Sequence, residues 1–372
     1  MSTAARTLAE AGEDGVLSAI MNVIQPFNTA RGQAGLELGP GNDDAAVLTP
    51  SAGSRVVMTT DTMSEDQDFR RAWWSDPAEQ AQDIGTKAAA QNLSDINAMG
   101  AEPAALLISL TLPGALTVDW AENFFRGVIR ACSQPGAEHC VIAGGDLGSG
   151  DTIAVTITAV GELPAEIPGL PGEPGLRRDR ARPGDILTVA GNLGYAAAGL
   201  ALLEDPAAQL ASEDPEHWSA DPTVRRALAA QKRPTPPLVE GRIAVIAGAT
   251  AGMDLSDGLM RDAGRLARAS GVRLLLEEGP LWARAEQLTA AAQGLEKDER
   301  LALEWVLAGG EDYSLLATFP PEAEIPEGFA RIGAAAAPKA GEPGVVAPFG
   351  TSTPGWDSLK AEVSPRTSGR AG

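Results

Sequence analysis

The run Pro77–Leu112 reads PAEQAQDIGTKAAAQNLSDINAMGAEPAALLISLTL, and it decides the fold class. Pro77 to Met99 reads as one long helix, with Pro77 suited to the first turn, where a missing N–H removes no bond. Ala104–Leu112 is a compact apolar run of strand length. A long helix feeding a buried strand points to layered α/β architecture. Working outward, Val16, Ile20, Val23, Ile24 and Phe27 recur at helical spacing and predict a helix over 16–30. Arg55–Thr60 is β-rich, Val118–Cys132 reads as a helix, and Cys140–Ala143 and Thr152–Val160 read as strands.

Residues 161–184 change character, with Pro164, Pro168, Pro171, Pro174 and Pro183 among glycines. Such density marks a linker or excursion. It predicts two domains, 1–163 and 164–372, as the length of 372 residues also does. Beyond it the pattern predicts a strand at Ile186–Ala190 and a helix at Tyr195–Leu203. A polar surface insertion at Glu204–Asp221 follows, then a helix from Thr235-Pro236 carrying Val239, Ile243, Ile246 and Ala247 on one face. Asp257–Ala269 reads as an amphipathic helix, Arg273–Leu276 and Ser314–Thr318 as strands, and the tail after Ser364 as frayed.

Composition excludes several classes. Fifty acids against 29 bases give a net charge of −21, which disfavours nucleic acid and anionic membrane as partners. No window reaches 18 uninterrupted apolar residues, so no spanning helix is expected, and the N-terminus has no secretory h-region; both place the protein in the cytoplasm. His139, His217, Cys132 and Cys140 are too few for a His/Cys zinc site, and the cysteines read as reduced core residues.

Carboxylates instead cluster beside Gly, Ser and Thr: Asn42-Asp43-Asp44, Thr59-Thr60-Asp61, Asn92-Leu93-Ser94-Asp95, Gly144-Gly145-Asp146 and Met253-Asp254-Leu255-Ser256-Asp257-Gly258. Any one of these reads equally as a turn or a helix cap. Five together point to convergence. Two unit charges 4 Å apart repel by about 4 kcal/mol at an effective dielectric near 20, so bound cations would have to offset them. Oxygen-only ligands select Mg²⁺, which is completed by waters and substrate phosphates. The expected chemistry is therefore phosphoryl transfer. Asp61 and Asp146 are expected where strands end, Asn92 and Asp95 on one helix face, and Asp257 at the opening of a helix. No P-loop, kinase or dinucleotide fingerprint occurs. Two glycine-rich turns, Gly144–Gly150 and Gly309–Asp312, are expected to offer backbone N–H groups to an anion, and Arg177, Arg178, Arg180 and Arg182 to clamp a phosphate.

The motifs stand in a familiar order: Gly39–Val47, Thr59–Thr62 (TTDT), Lys87–Ala101, Ala143–Asp146 (AGGD), Arg182–Asp185 (RPGD), Met253–Leu259 (MDLSDGL), Gly309–Tyr313 (GGEDY) and Gly355–Asp357 (GWD). The chain resembles the thiamine-monophosphate kinase family over about residues 10–360. The resemblance implies the two-domain fold of the aminoimidazole-ribonucleotide-synthetase superfamily. An N-terminal domain sheet would pair across a homodimer, beside a larger C-terminal α/β domain. It implies ATP-dependent, Mg²⁺-dependent phosphorylation of thiamine monophosphate to thiamine diphosphate. By resemblance Asp44, Thr59, Thr60, Asp61, Asp95, Asp146, Asp254 and Asp257 fall on magnesium positions. Gly145, Asp146, Arg178 and Ser256 fall on ATP positions, and Glu311 and Trp356 on substrate positions. Asp68 stands where the family usually has a substrate-contacting His, and Asn42 where it usually has Gly. No nucleophile–base pair is visible, so direct in-line transfer is expected. The alternatives are another ATP-using enzyme of the superfamily (an aminoimidazole-ribonucleotide synthetase or a selenophosphate synthetase) and a non-catalytic thiamine-phosphate-binding protein.

Overall fold

The structure is a computed structural model that describes residues 6–41, 43–166, 175–205, 221–342 and 344–348. Trp356 and most of the expected 204–221 insertion lie outside the described residues.

Helix α1 (Leu8–Ala30) begins eight residues before the apolar periodicity does. A capping box sets that start: the Thr7 hydroxyl accepts from the Glu10 N–H at 3.2 Å, and the Thr7 N–H donates to Glu10 Oε2 at 2.9 Å. Two short strands follow, β1 (Leu36–Leu38) and β2 (Val47–Leu48), then the long β3 (Arg55–Ser64). Helix α2 (Pro77–Ala98) is capped by Asp76, whose side chain accepts from the Ala78 N–H. Then come β4 (Glu102–Leu112), α3 (Val118–Cys132), β5 (Val141–Ser149) and β6 (Ala154–Leu163).

These last strands form one sheet in the order β3-β6-β4-β5, antiparallel except for β4 with β5. Helices α2 and α3 bury its inner face through Ile84, Leu93, Ile96, Phe124 and Val128 against Leu106, Ile108 and Ile157. Their close approach needs two glycines. A Cβ on Gly85 would lie 2.1 Å from the Phe124 carbonyl, and one on Gly127 would lie 1.9 Å from that of Gln82. The outer face is covered only in part, where Leu36 and Leu48 of the β1–β2 ribbon meet Ala105, Val141 and Ala143. The rest of that face leaves Val56, Met58 and Leu107 exposed.

The second layer is a six-stranded sheet in the order β12-β9-β11-β7-β10-β8. Its strands are β7 (Ile186–Ala190), β8 (Ala251–Leu255), β9 (Arg273–Leu276), β10 (Ser314–Phe319), β11 (Phe329–Ala336) and β12 (Val345–Val346); only β12 with β9 is parallel. Its helices are α4 (Tyr195–Glu204), α5 (Pro222–Lys232), α6 (Glu240–Ile246), α7 (Leu259–Ser270), α8 (Glu278–Glu286), α9 (Thr289–Gly294) and α10 (Glu299–Ala308). The fold class is as expected: mixed helices and sheets in packed layers.

Several expectations need correction. The strand predicted to stop at Ala143 runs on to Ser149, so the first glycine-rich turn is a paired strand. Gly145 serves sheet packing, since a Cβ there would sit 1.7 Å from the Ile108 carbonyl. The helix expected from Pro236 starts only at Glu240, because consecutive prolines at 236 and 237 hold a turn. Its Val239, Ile243 and Ile246 lie on the exposed side, while Gly241, Ala244 and Val245 are buried. The helix expected from Asp257 starts at Leu259, because Gly258 at φ 104° keeps the preceding turn out of helical geometry.

Helix α2 joins the two layers. Asn97 Oδ1 accepts from the Gly241 N–H at 2.7 Å, and the Ser94 hydroxyl donates to the Tyr313 carbonyl at 3.3 Å. The fully buried Asp83 accepts from Arg233 at 3.0 Å and from the Trp74 indole at 2.9 Å.

Candidate active site

The seam between α2 and the second sheet gathers charge that sequence separates by up to two hundred residues. On β3 the alternation of a strand turns Thr59 and Asp61 toward α2. Asn92 and Asp95 share one face of α2, as their spacing requires, and meet them there. The Thr59 hydroxyl donates to Asp95 Oδ2 at 2.6 Å, and the Asp61 N–H donates to Asn92 Oδ1 at 3.2 Å. Asp254 arrives from β8, the edge strand of the second sheet that faces α2.

Burial and mutual repulsion raise these carboxyls together. Asp254 is pushed up to about 8, first by burial and then by the charges of Asp95 and Asp262, against the pull of Arg178. Asp61 rises to about 6 through burial, with Asp95 and Asp68 adding to it. Asp95 also rises by burial, opposed by its bond from Thr59 and by Arg178. Arg178 is therefore a cation whose charge acts on both Asp95 and Asp254. Arg177 pairs with Asp179 at 2.7 Å and 2.9 Å. Arg55, Arg177, Arg178 and Arg180 line a cavity of about 390 Å³, walled by Met99, Leu163 and Leu176.

Other expected residues stand apart. Thr60 points to the outer face, donating to the Ile157 carbonyl and accepting from Thr158. Asp44 lies exposed in the loop before β2. Asp146 and Gly145 sit within β5, not at a strand end. Asp61, Ile157, Ile108 and Gly145 form one row across the sheet, with Asp146 in the next row beside Ser109, Thr156 and Thr62. Three strand spacings, roughly 14 Å, separate Asp61 from that edge. Asp257 is ion-paired with Arg265, which also holds Asp262 at 2.6 Å. The Asp257 N–H donates to Asp262 Oδ2.

A second group forms around Glu311. The loop Gly309–Tyr313 holds Glu311 at φ 65° and Tyr313 at φ 49°, both in the left-handed region that non-glycine residues avoid. Pairing keeps them there. The Glu311 N–H donates to the Ser256 carbonyl at 2.8 Å, and the Tyr313 N–H to that of Leu255. The neighbouring Asp312 caps α4 by accepting from the Gly194 and Ala196 N–H groups, and burial nevertheless lifts it to about 7. Lys87, fully buried on α2, reaches Glu311 Oε1 at 2.8 Å and the Asp68 carbonyl at 2.9 Å. The Asp68 carboxylate turns back to the Ser64 N–H at 2.6 Å. Burial raises it first, and Glu311 adds to the rise. Lys87 has a signal in the sequence: it is the lone cation on a long, Ala-rich stretch of helix, and lysine is almost never buried unpaired.

Among the described residues no three His, Cys, Asp or Glu side chains stand close enough to cage a metal ion by themselves. Asp61, Asp95 and Asp254 are oxygen donors, and one or two of them at a time suit Mg²⁺. Mg²⁺ takes one or two carboxylates and completes its shell with waters and phosphate oxygens.

The layered fold is that of the AIR synthase class: residues 42–163 match the family described as AIR synthase related protein, N-terminal domain. Within that class the relatives are specific. Thiamine-monophosphate kinase of Corynebacterium glutamicum is 38% identical over 302 residues, 81% of this chain and 82% of that one. The crystal structure of thiamine-monophosphate kinase from Stenotrophomonas maltophilia K279a superposes with a TM-score of 0.67 at 31% identity, covering 88% of this chain and 95% of that one. AaThiL complexed with AMPPCP and TMP superposes at 0.62, with 29% identity over 92% of this chain and 96% of that one. The chain belongs to the thiamine-monophosphate kinase family.

Proposed function

We propose that this chain transfers the γ-phosphoryl group of ATP to thiamine monophosphate, giving thiamine diphosphate and ADP. The observation that carries the reading is the seam itself. Asp61 and Asp95 of the first layer and Asp254 of the second feel one another's charge, with Arg178 opposing it, and this field suits a polyphosphate with its cation. Family membership supports the substrates, and the AMPPCP and TMP complex of AaThiL supports the nucleotide and acceptor pair.

Asp61, Asp95 and Asp254 would hold Mg²⁺; Asp44, Asp146 and Asp257, which the family resemblance also places on magnesium positions, would hold further ions. A bound magnesium ion supplies charge neutralisation between the phosphates. Arg178, Gly145, Asp146 and Ser256 bind ATP, and Arg178 offsets negative charge on its phosphates. Glu311, Asp68 and Trp356 bind thiamine monophosphate. Carboxylates and an indole both attract its cationic thiazolium. The acceptor phosphate is ionised near neutral pH, its second pKa being about 6. Its oxygen bonds to the γ-phosphorus as the bond to the ADP oxygen breaks, and no side chain need remove a proton. Lys87 holds Glu311 and the Asp68 segment in register across the seam.

Two domains, 1–163 and 164–372, form the seam. A homodimer forms through the outer face of the first sheet, where Val56, Met58 and Leu107 are exposed. No described helix is long and apolar enough to cross a membrane. A reaction that consumes ATP belongs in the cytoplasm.

The test is thiamine monophosphate, ATP and Mg²⁺ with the purified chain. The expected products are thiamine diphosphate and ADP in equal amounts, abolished by EDTA. ADP release that is independent of thiamine monophosphate defeats the proposal.

A further inference from the structure

Gln231, on α5, is 1% exposed and belongs to none of the motifs read from the sequence. Its Nε2 donates to Glu311 Oε2 at 2.7 Å. Its Oε1 is buried with no partner among the described residues. The amide cannot be turned the other way, because that would set its carbonyl against a carboxylate. An orphaned buried carbonyl costs about 1–3 kcal/mol, which offsets the bond that Nε2 makes to Glu311, so the residue adds little to folding. A role outside packing is required, and the contact with Glu311 supplies it.

Glu311 is clamped at both oxygens: Lys87 on one side from α2, Gln231 on the other from α5. Its backbone at φ 65° leaves the side chain no regular element to lean on. The charged and titratable groups around it are Lys87, Asp68, Asp312 and Tyr313. Lys87 is the cation among them. A second cation at Oε2 would consume the carboxylate's charge. A neutral amide aims the carboxylate and leaves its charge available to a cationic ligand. We propose that Gln231 is a positioning residue for substrate recognition: it orients Glu311 toward the cationic thiazolium of the acceptor and has no part in nucleotide binding. This rests on the kinase reading above.

The test compares Gln231→Met and Gln231→Glu with the wild-type chain in the kinase assay. Gln231→Met keeps the shape and removes the donor. The expected result is a KM for thiamine monophosphate raised about tenfold, with KM for ATP and kcat within about twofold and an undiminished melting temperature. Gln231→Glu sets two carboxylates together, which share a proton at low pH. This variant approaches wild-type kcat/KM near pH 6 and falls away as pH rises, a profile the wild type lacks. An unchanged KM for thiamine monophosphate in Gln231→Met, or equal rises in both KM values, overturns the inference while leaving the kinase reading intact. No turnover by the wild-type chain removes both.

Discussion

Replacing Asp254 by Asn should make the protein more stable and inactive at once. Asp254 is 5% exposed, and its carboxyl is raised from 3.8 to about 8 by burial, then by Asp95 and Asp262. Between those two values the folded chain holds a proton that the unfolded chain releases. The stabilisation is therefore fully present below about pH 4 and is lost as pH rises through 8. Ionising this group in the folded state costs on the order of 6 kcal/mol at most, at 1.36 kcal/mol for each tenfold change in proton affinity. An unfolding entropy of about 2 cal/mol/K per residue translates 1 kcal/mol into roughly 1.3 °C for a chain this long. Asp254→Asn removes the charge and keeps the shape. In EDTA its melting temperature should exceed that of wild type by up to roughly 7 °C at pH 8.5, and the difference should shrink toward pH 5. Mg²⁺ should close the gap by raising wild type alone. Turnover should fall by about a thousandfold or more, the scale of losing an electrostatic group that acts in the transition state. Differential scanning fluorimetry from pH 5 to 9, with and without Mg²⁺, reads all of this. Parallel melting curves for the two proteins at every pH would refute the buried repulsive cluster.

Lys87→Met strands the Glu311 carboxylate and the Asp68 carbonyl, and urea titration should show a loss of about 2–3 kcal/mol together with a higher KM for thiamine monophosphate. Gly145→Ala should destabilise severely, because its Cβ would meet the Ile108 carbonyl at 1.7 Å. Gly144→Ala meets only a Leu107 methyl at 3.5 Å and should fold normally, so soluble yield and melting temperature separate the pair. Met58→Asp with Leu107→Asp should convert the proposed dimer to monomer by sedimentation velocity without changing the circular dichroism; a wild-type chain that is already monomeric removes that interface.

The sequence alone carried the elements whose local chemistry is strong. Pro77 opens α2 where expected, and Ala104–Leu112 lies within β4. The three-residue spacing of Asn92 and Asp95 set both on the face that meets β3. Ordered motifs identified the family. Weaker local signals failed. The Ala- and Gly-rich β11 has no alternation to read, and α8 to α10 escaped notice among mixed residues. The glycines of β5 imitate a turn, and the reason for Gly145, the Ile108 carbonyl, lies on another strand. Only tertiary structure decided that Thr60 faces away from Asp61's partners, that Asp257 is paired with Arg265, and that Gln231 touches Glu311. The physical reason is range. Capping, periodicity and helix-face geometry act within a few residues of chain. Burial, charge repulsion and clamping depend on which distant segments the packed sheets bring together.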